Sequence, residues 1–210
     1  MSPIFDTLFG QYYDYETTDV VLEIIAVIFG FLSVWFSKQN KVLVFPTGMI
    51  STVIFVYLLL KWELLGDMMI NAYYFIMSVY GWYIWTRKTG NEAVTPISRT
   101  TFTEKKISIA IFLATLLFVY LVYQNFDKWT SWIAYVDTLT TAIFFVGMWL
   151  MAKRKIENWI YWIIGDIISV PLYFHKGFTF TSLQYLIFTF IAIFGYIAWK
   201  KRINSNPQTA

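Results

Sequence analysis

The sequence predicts an all-α membrane protein of seven spans. Three observations carry this: an apolar excess, the spacing of the apolar segments, and basic residues gathered on one side. The chain has 210 residues, of which 58% are hydrophobic and only 14% charged. Soluble domains carry about 25% charged residues. A water-soluble fold of this size could not hide so much apolar surface, because its exterior still needs polar cover. A bilayer removes that need. The 20 Phe, 15 Tyr and 10 Trp agree, since Trp and Tyr gather at headgroup level.

Residues 1–18 contain Asp6, Asp14 and Glu16 but no Lys or Arg. They lack the basic start of a cleavable signal peptide, so the first span is expected to act as its own insertion signal. A span needs roughly 20 mostly apolar residues, which places the seven at about 19–37, 42–60, 64–85, 106–124, 131–151, 158–174 and 178–199. Pro46 and Pro171 fall in the second and sixth, where they are expected to kink or loosen the helix. With seven spans the loops alternate sides, and 13 of the 16 Lys and Arg fall on one side. The three on the other are Lys61, Lys128 and Lys176. The positive-inside rule then puts the N-terminus outside and the C-terminus in the cytoplasm. The loop at 87–105 is the longest connection and reads as a polar linker, and the Asn204–Ala210 tail reads as disordered.

Shifted by 114 residues, spans one to three fall on spans five to seven. Trp35 meets Trp149, Trp85 meets Trp199, Gly81 meets Gly195, and Glu23 meets Asp137. Chance similarity among apolar helices is the competing reading. A true repeat would divide the chain into an external segment (1–18), a first three-helix repeat (19–85), and a cytoplasmic loop with linker helix (86–130). A second repeat (131–202) and a tail (203–210) would follow. The two repeats would point the same way, a parallel 3+1+3 layout with the substrate site between them.

Ionisable and amide side chains inside a span are costly and usually face the bundle interior. In span six Trp159, Trp162 and Asp166 are spaced three then four, so they share one helical face. Two indoles over a carboxylate can cradle a flat cationic aromatic through stacking, cation–π attraction and charge pairing. Asn71 in span three and Gln184 in span seven lie at similar depth, and could recognise polar groups or join helices. Tyr74 and Tyr185 are weaker candidates of the same kind. Glu23 and Asp137 read as entrance or structural acids near the outer ends of spans one and five. Asp19, Asp67 and His175 are expected to be solvated.

Several chemistries find no residues. There is no P-loop for direct ATP coupling. With one His and no Cys, no ordinary metal site is expected. The last span has no central Lys for a retinal Schiff base, and no nucleophile–base pair suggests an enzyme. No cofactor and no nucleic-acid partner are expected.

The run Gly66-Asp67, Asn71, Tyr74, Gly81-Trp82-Tyr83-Ile84-Trp85 resembles the third helix of the PnuC family of vitamin-precursor transporters. The run from Trp159 through Trp162 to Asp166, followed by Ser169, Leu172-Tyr173 and Lys176-Gly177, resembles that family's Trp-x-x-Trp-x-x-x-Asn/Asp region. The resemblance covers 19–202. It implies a SWEET-like 3+1+3 fold, often homotrimeric, in a bacterial inner membrane. It also implies uniport of a cationic vitamin precursor by facilitated diffusion, with intracellular phosphorylation trapping the substrate. Nicotinamide riboside leads among the substrates and thiamine or riboflavin are alternatives, because Asp166 stands where nicotinamide riboside carriers are expected to have Asn. A proton-coupled carrier using Asp166, Glu23 and Asp137, or a scaffold without transport, are the readings from other classes.

Overall fold

A computed structural model describes residues 16–61, 65–89, 92–93, 95–126, 129, 132–175 and 179–205. Expectations for residues 1–15, for Lys128 and Lys176, and for the tail from 206 on lie outside the described residues. Within them the chain forms seven helices. These are α1 (Thr17–Lys38), α2 (Val44–Lys61), α3 (Leu65–Thr86), α4 (Phe102–Asn125), α5 (Trp132–Ala152), α6 (Asn158–His175) and α7 (Thr179–Asn204). A small hairpin, β1 (Lys88–Thr89) and β2 (Glu92–Ala93), follows α3.

Each predicted span coincides with one helix. Five helices are long and apolar enough to cross a bilayer by composition: α1, α2, α4, α5 and the 181–204 part of α7. The two that fall short, α3 and α6, dilute their apolar residues with Tyr, Trp, Asn71, Asp67 and Asp166. Each buries one polar or aromatic face, with Ser78 and Trp85 of α3 and Asp166 and Ser169 of α6 out of contact with solvent. By contrast α1 carries Val21, Ile24, Ile28, Leu32 and Trp35 on one exposed stripe, and α4 exposes Ile109, Leu113 and Leu117. Such surfaces suit lipid and not water. The chain is a multi-pass membrane protein.

Local chemistry sets the helix boundaries. Thr101 caps α4 in a reciprocal box with Glu104, satisfying otherwise orphaned N–H groups. The α1–α2 and α5–α6 connections each turn on one left-handed residue, Asn40 (φ 59°) and Arg154 (φ 55°). These two are 114 positions apart, the same separation as the matched Trp residues. Pro46 lies in the first turn of α2, where a missing N–H breaks no helical bond. It therefore does not kink the helix. Pro171 sits inside α6, which continues past it to His175.

The packing repeats at that separation. Helices α1, α2 and α3 pack in succession, as do α5, α6 and α7, and the two sets meet through α3 against α5 and α1 against α7. Helix α4 packs on α5. Within a bilayer lipid is as apolar as leucine, so close packing and hydrogen bonds hold helices together. Both are visible at the end that carries most of the basic residues. Phe45 meets Trp85 edge-on at 5.0 Å, and their counterparts Trp159 and Trp199 meet edge-on at 5.5 Å. The Phe45 ring lies against Gly81 and the Trp159 ring against Gly195, where a Cβ would fall 2.7 Å from the indole. Only glycine leaves room for either ring.

The supposed linker is instead docked. Ser98 N–H donates to the Arg154 carbonyl (3.2 Å) and Ile156 N–H to the Ser98 carbonyl (3.0 Å). Thr100 N–H donates to the Glu157 carboxylate (2.9 Å), and Lys155 pairs with Glu104 (3.0 Å). Arg154 is buried here, donating to the Thr95 carbonyl (2.9 Å) with its guanidinium 4.2 Å above Trp85. Burial, with the positive Arg202 nearby, pushes that guanidinium down to about 10, still a cation at neutral pH. At the opposite end Asp19 differs from its expected solvation. It is buried and paired with Lys61 at 2.7 Å, because Lys61 closes α2 beside the first turn of α1.

Candidate functional site

The site is built on one face of α6. Trp159, Trp162, Asp166, Ser169 and Tyr173 follow one another at spacings of three, four, three and four, so the helix stacks them in a single column. Asp166 is 3% exposed. Among the described residues the ion pairs are those of Lys61 and Lys155, and neither reaches Asp166. A carboxylate taken out of water without a cationic partner is costly.

What surrounds that column is aromatic. Phe144 of α5 stacks on Trp162 at 5.4 Å and on Tyr185 of α7 at 6.0 Å. Tyr74 of α3 faces Trp162 at 6.4 Å, and Tyr173 faces Tyr185 at 5.1 Å. The carboxyl of Asp166 lies within electrostatic reach of the Tyr74 and Tyr185 hydroxyls. Helices α3, α5, α6 and α7 thus converge, and Gly165 permits it because the Phe144 ring occupies the space of its missing side chain. One step out, Tyr73 stacks on Phe145 at 3.9 Å and donates its hydroxyl to the Phe145 carbonyl at 3.0 Å. Ser169 is fully buried, and its hydroxyl has no hydrogen-bond partner among the described residues.

The remaining candidates are placed differently. Trp159 is one turn nearer the basic end, packed with Trp199 and Gly195. Asn71 is half-buried, and its amide donates back to the Asp67 carbonyl at 2.9 Å. Gln184 is half-buried, and as the neighbour of Tyr185 it points off that residue's face. Glu23 and Asp137 are half-buried on α1 and α5. Asp137 and the exposed Asp67 lie close enough to Tyr123 and Tyr173 to act on both electrostatically, which gathers two acids beyond the aromatic cluster. His175 is exposed, 5.2 Å from the Trp132 ring.

Phe144, Phe145 and Tyr73 were not among the sequence candidates. An apolar ring in an apolar helix carries no mark, and only Tyr73, beside Tyr74, offered a hint. A cavity of about 360 Å³ lies outside this cluster, between α3, α4 and α5, lined by Met77, Thr115, Phe118 and Trp149. Tyr73 and Phe145, stacked on each other, also line it.

Comparison with known proteins adds the following. A family model described as nicotinamide mononucleotide transporter matches residues 20–201. The nicotinamide riboside transporter PnuC of Escherichia coli K12 is 26% identical over 205 residues, spanning 85% of this chain and 84% of its own. The one from Haemophilus influenzae is 26% identical, spanning 90% and 83%. The riboflavin/roseoflavin transporter RibM of Streptomyces davaonensis is 28% identical, spanning 62% and 63%. The crystal structure of the vitamin B3 transporter PnuC superimposes with a TM-score of 0.66 at 23% identity, covering 96% of this chain and 88% of that one. That likeness is one of fold.

Proposed function

Since the chain belongs to the nicotinamide mononucleotide transporter family, we propose that it carries nicotinamide riboside, a flat aromatic cation, into the bacterial cell across the inner membrane. The observation that carries this reading is Asp166, a buried carboxylate among aromatic rings that no basic side chain of the described residues pairs with. A pyridinium ring meets each of its needs. Its charge pairs with the carboxylate, and its face stacks on Trp162 with cation–π attraction worth about 2 kcal/mol when desolvated. Tyr74 and Tyr185 close the sides, and Ser169 offers a hydroxyl. Asn71 and Gln184 supply amides for the ribose after a change of rotamer. Asp67 and Asp137 concentrate cations at the mouth.

The carrier works by alternating access. Its seven helices form a 3+1+3 arrangement of two parallel repeats joined by α4, with the N-terminus outside and the C-terminus in the cytoplasm. The 114-residue spacing of paired rings, glycines and left-handed turns supports the repeats, and the basic residues support the orientation. No ion is coupled. Substrate runs down its gradient and is retained by phosphorylation inside, which removes it from the equilibrium. Thiamine is the second reading, since it is also a cationic aromatic and Asp166 favours the cation in both. The similarity to RibM shows that relatives bear a name for a different vitamin, and uncharged riboflavin would leave Asp166 unpaired.

Calorimetry of the purified protein with nicotinamide riboside and thiamine in parallel tests the assignment. Binding of the riboside alone supports it, and binding of thiamine alone keeps the mechanism and replaces the substrate. If neither binds, the transport reading fails. A riboside gradient that builds up in vesicles and collapses with an uncoupler would replace uniport by proton coupling.

A further inference from the structure

We infer that Phe45, Trp85, Trp159 and Trp199 form a two-fold-related latch that shuts the basic end of the bundle, and that the two indole N–H bonds between the repeats hold it closed. Trp85 of the first repeat donates through Nε1 to the Ala152 carbonyl of the second at 3.2 Å. Trp199 of the second donates to the Ser37 carbonyl of the first at 3.1 Å. Between these crossed bonds Ser37 Oγ lies 3.3 Å from Met151 Sδ, so residues 114 apart meet face to face. Such self-matching is expected at a two-fold axis. Trp85 and Trp199 are also ring neighbours at 5.8 Å, and each holds the ring that rests on a glycine of its own repeat. Ser37, Phe45, Trp85, Ala152, Trp159 and Trp199 are all buried, so nothing the size of a nucleoside passes while these contacts stand.

One observation marks the latch as an arrangement made to be broken. The indole Nε1 of Trp159 is buried without a hydrogen-bond partner among the described residues. A buried unpaired donor is disfavoured in the closed form, and opening the end to water supplies its acceptor. The closed state therefore rests on the two crossed bonds against an opposing bias. Trp159, a binding candidate by its spacing, is here the partner of Phe45 in a moving part.

This inference rests on the transport reading for its physiological meaning, so the test has one arm that needs no substrate. The chain contains no cysteine, which makes thiol probes specific. In the first arm the S37C/M151C protein is bridged in proteoliposomes by a short bis-methanethiosulfonate, which forms a disulfide to each cysteine with loss of sulfinate. A thiol reductant cleaves the bridge, and intact mass verifies it. Riboside flux is expected to fall at least about ten-fold, calorimetric binding to stay within about two-fold, and cleavage to restore flux. Bridged protein that still transports at its unbridged rate overturns the latch. In the second arm T52C, at the repeat counterpart of Asp166, is labelled from the basic side by a membrane-impermeant maleimide. Adding W85F and W199F keeps the rings and removes both N–H bonds, and labelling is expected to accelerate on the order of ten-fold. Each single replacement gives part of that rise, which covers a double variant that fails to fold. An unchanged rate in folded single variants also overturns the proposal. If unmodified protein carries no riboside, the substrate reading fails and the second arm still decides the latch.

Discussion

The two three-helix sets are alike at one end and different in the middle. At the basic end each has a ring on a glycine: Phe45 on Gly81, and Trp159 on Gly195. Three to seven residues further along α2 and α6 the match disappears. The first set has Gly30 facing Ser51 and Gly48 facing Ser33, and Thr52 donates its hydroxyl to the Gly48 carbonyl. The corresponding positions of the second set hold Phe144 facing Gly165, Trp162 against Gly147, and Asp166. On the first side the small residues pack closely on hydroxyls, with Gly30 against Ser51 and Gly48 against Ser33 and Ser78, where the second side packs rings. Under the proposed carrier cycle, symmetry is kept where the two repeats would move against each other and abandoned where one asymmetric substrate would be held. A nucleoside has one charged face and one sugar, so a symmetric cavity would satisfy half of it twice.

The comparison can be broken most severely at Asp166. Asp166→Ala removes the proposed counter-charge and is expected to weaken riboside binding by about 2–5 kcal/mol in calorimetry. Thr52→Asp added to it places a carboxylate at the matching point of the first set and is expected not to restore binding, because Gly48 stands there in place of Trp162. Recovery of affinity would mean that the two halves are interchangeable. Next comes Trp162→Ala, expected to weaken binding by about 2 kcal/mol through loss of stacking and cation–π attraction. Gly81→Ala and Gly195→Ala probe the half that stays symmetric. Each forces a ring to shift, at about 1–3 kcal/mol, and thermal melting in detergent should fall by similar amounts for both. The smallest effect is expected from Thr52→Val, which removes a hydroxyl bonded only to its own helix and should leave binding within about two-fold.

Much of this was legible in the order of residues. Apolar length marked all seven helices, and the Trp85–Trp199 and Gly81–Gly195 pairs announced contacts that recur in space. Asp166 and Trp162 stood out because a charge or an indole deep in a span is rare. Other features left no local trace. Spacing put Trp159 on the face of Trp162, but periodicity reports direction and not depth, so its place beside Gly195 was hidden. Phe144 and Phe145 look like any lipid-facing residue until α3 and α6 are packed against them. Asp19 finds Lys61 across 42 residues, a separation that no helical period reveals. The stretch around Ser98 reads as linker by composition, yet its backbone bonds to Arg154 and Ile156, which composition cannot express.

The crossed indole bonds bear on the order in which the molecule assembles. The bond from Trp199 to Ser37 spans 162 residues, and that from Arg202 to Gln39 spans 163. As the chain is synthesised, the first three helices enter the bilayer with the Ser37 carbonyl accepting its local Asn40 N–H (2.9 Å) but not yet the indole. Its indole partner arrives only with the final helix. Contacts of such long sequence separation form late, after shorter loops have closed. A chain stopped a few residues before Trp199 would carry six complete helices and still lack its closing bond. Degradation of such truncated products is therefore expected to depend on the last dozen residues of α7 more than on any loop.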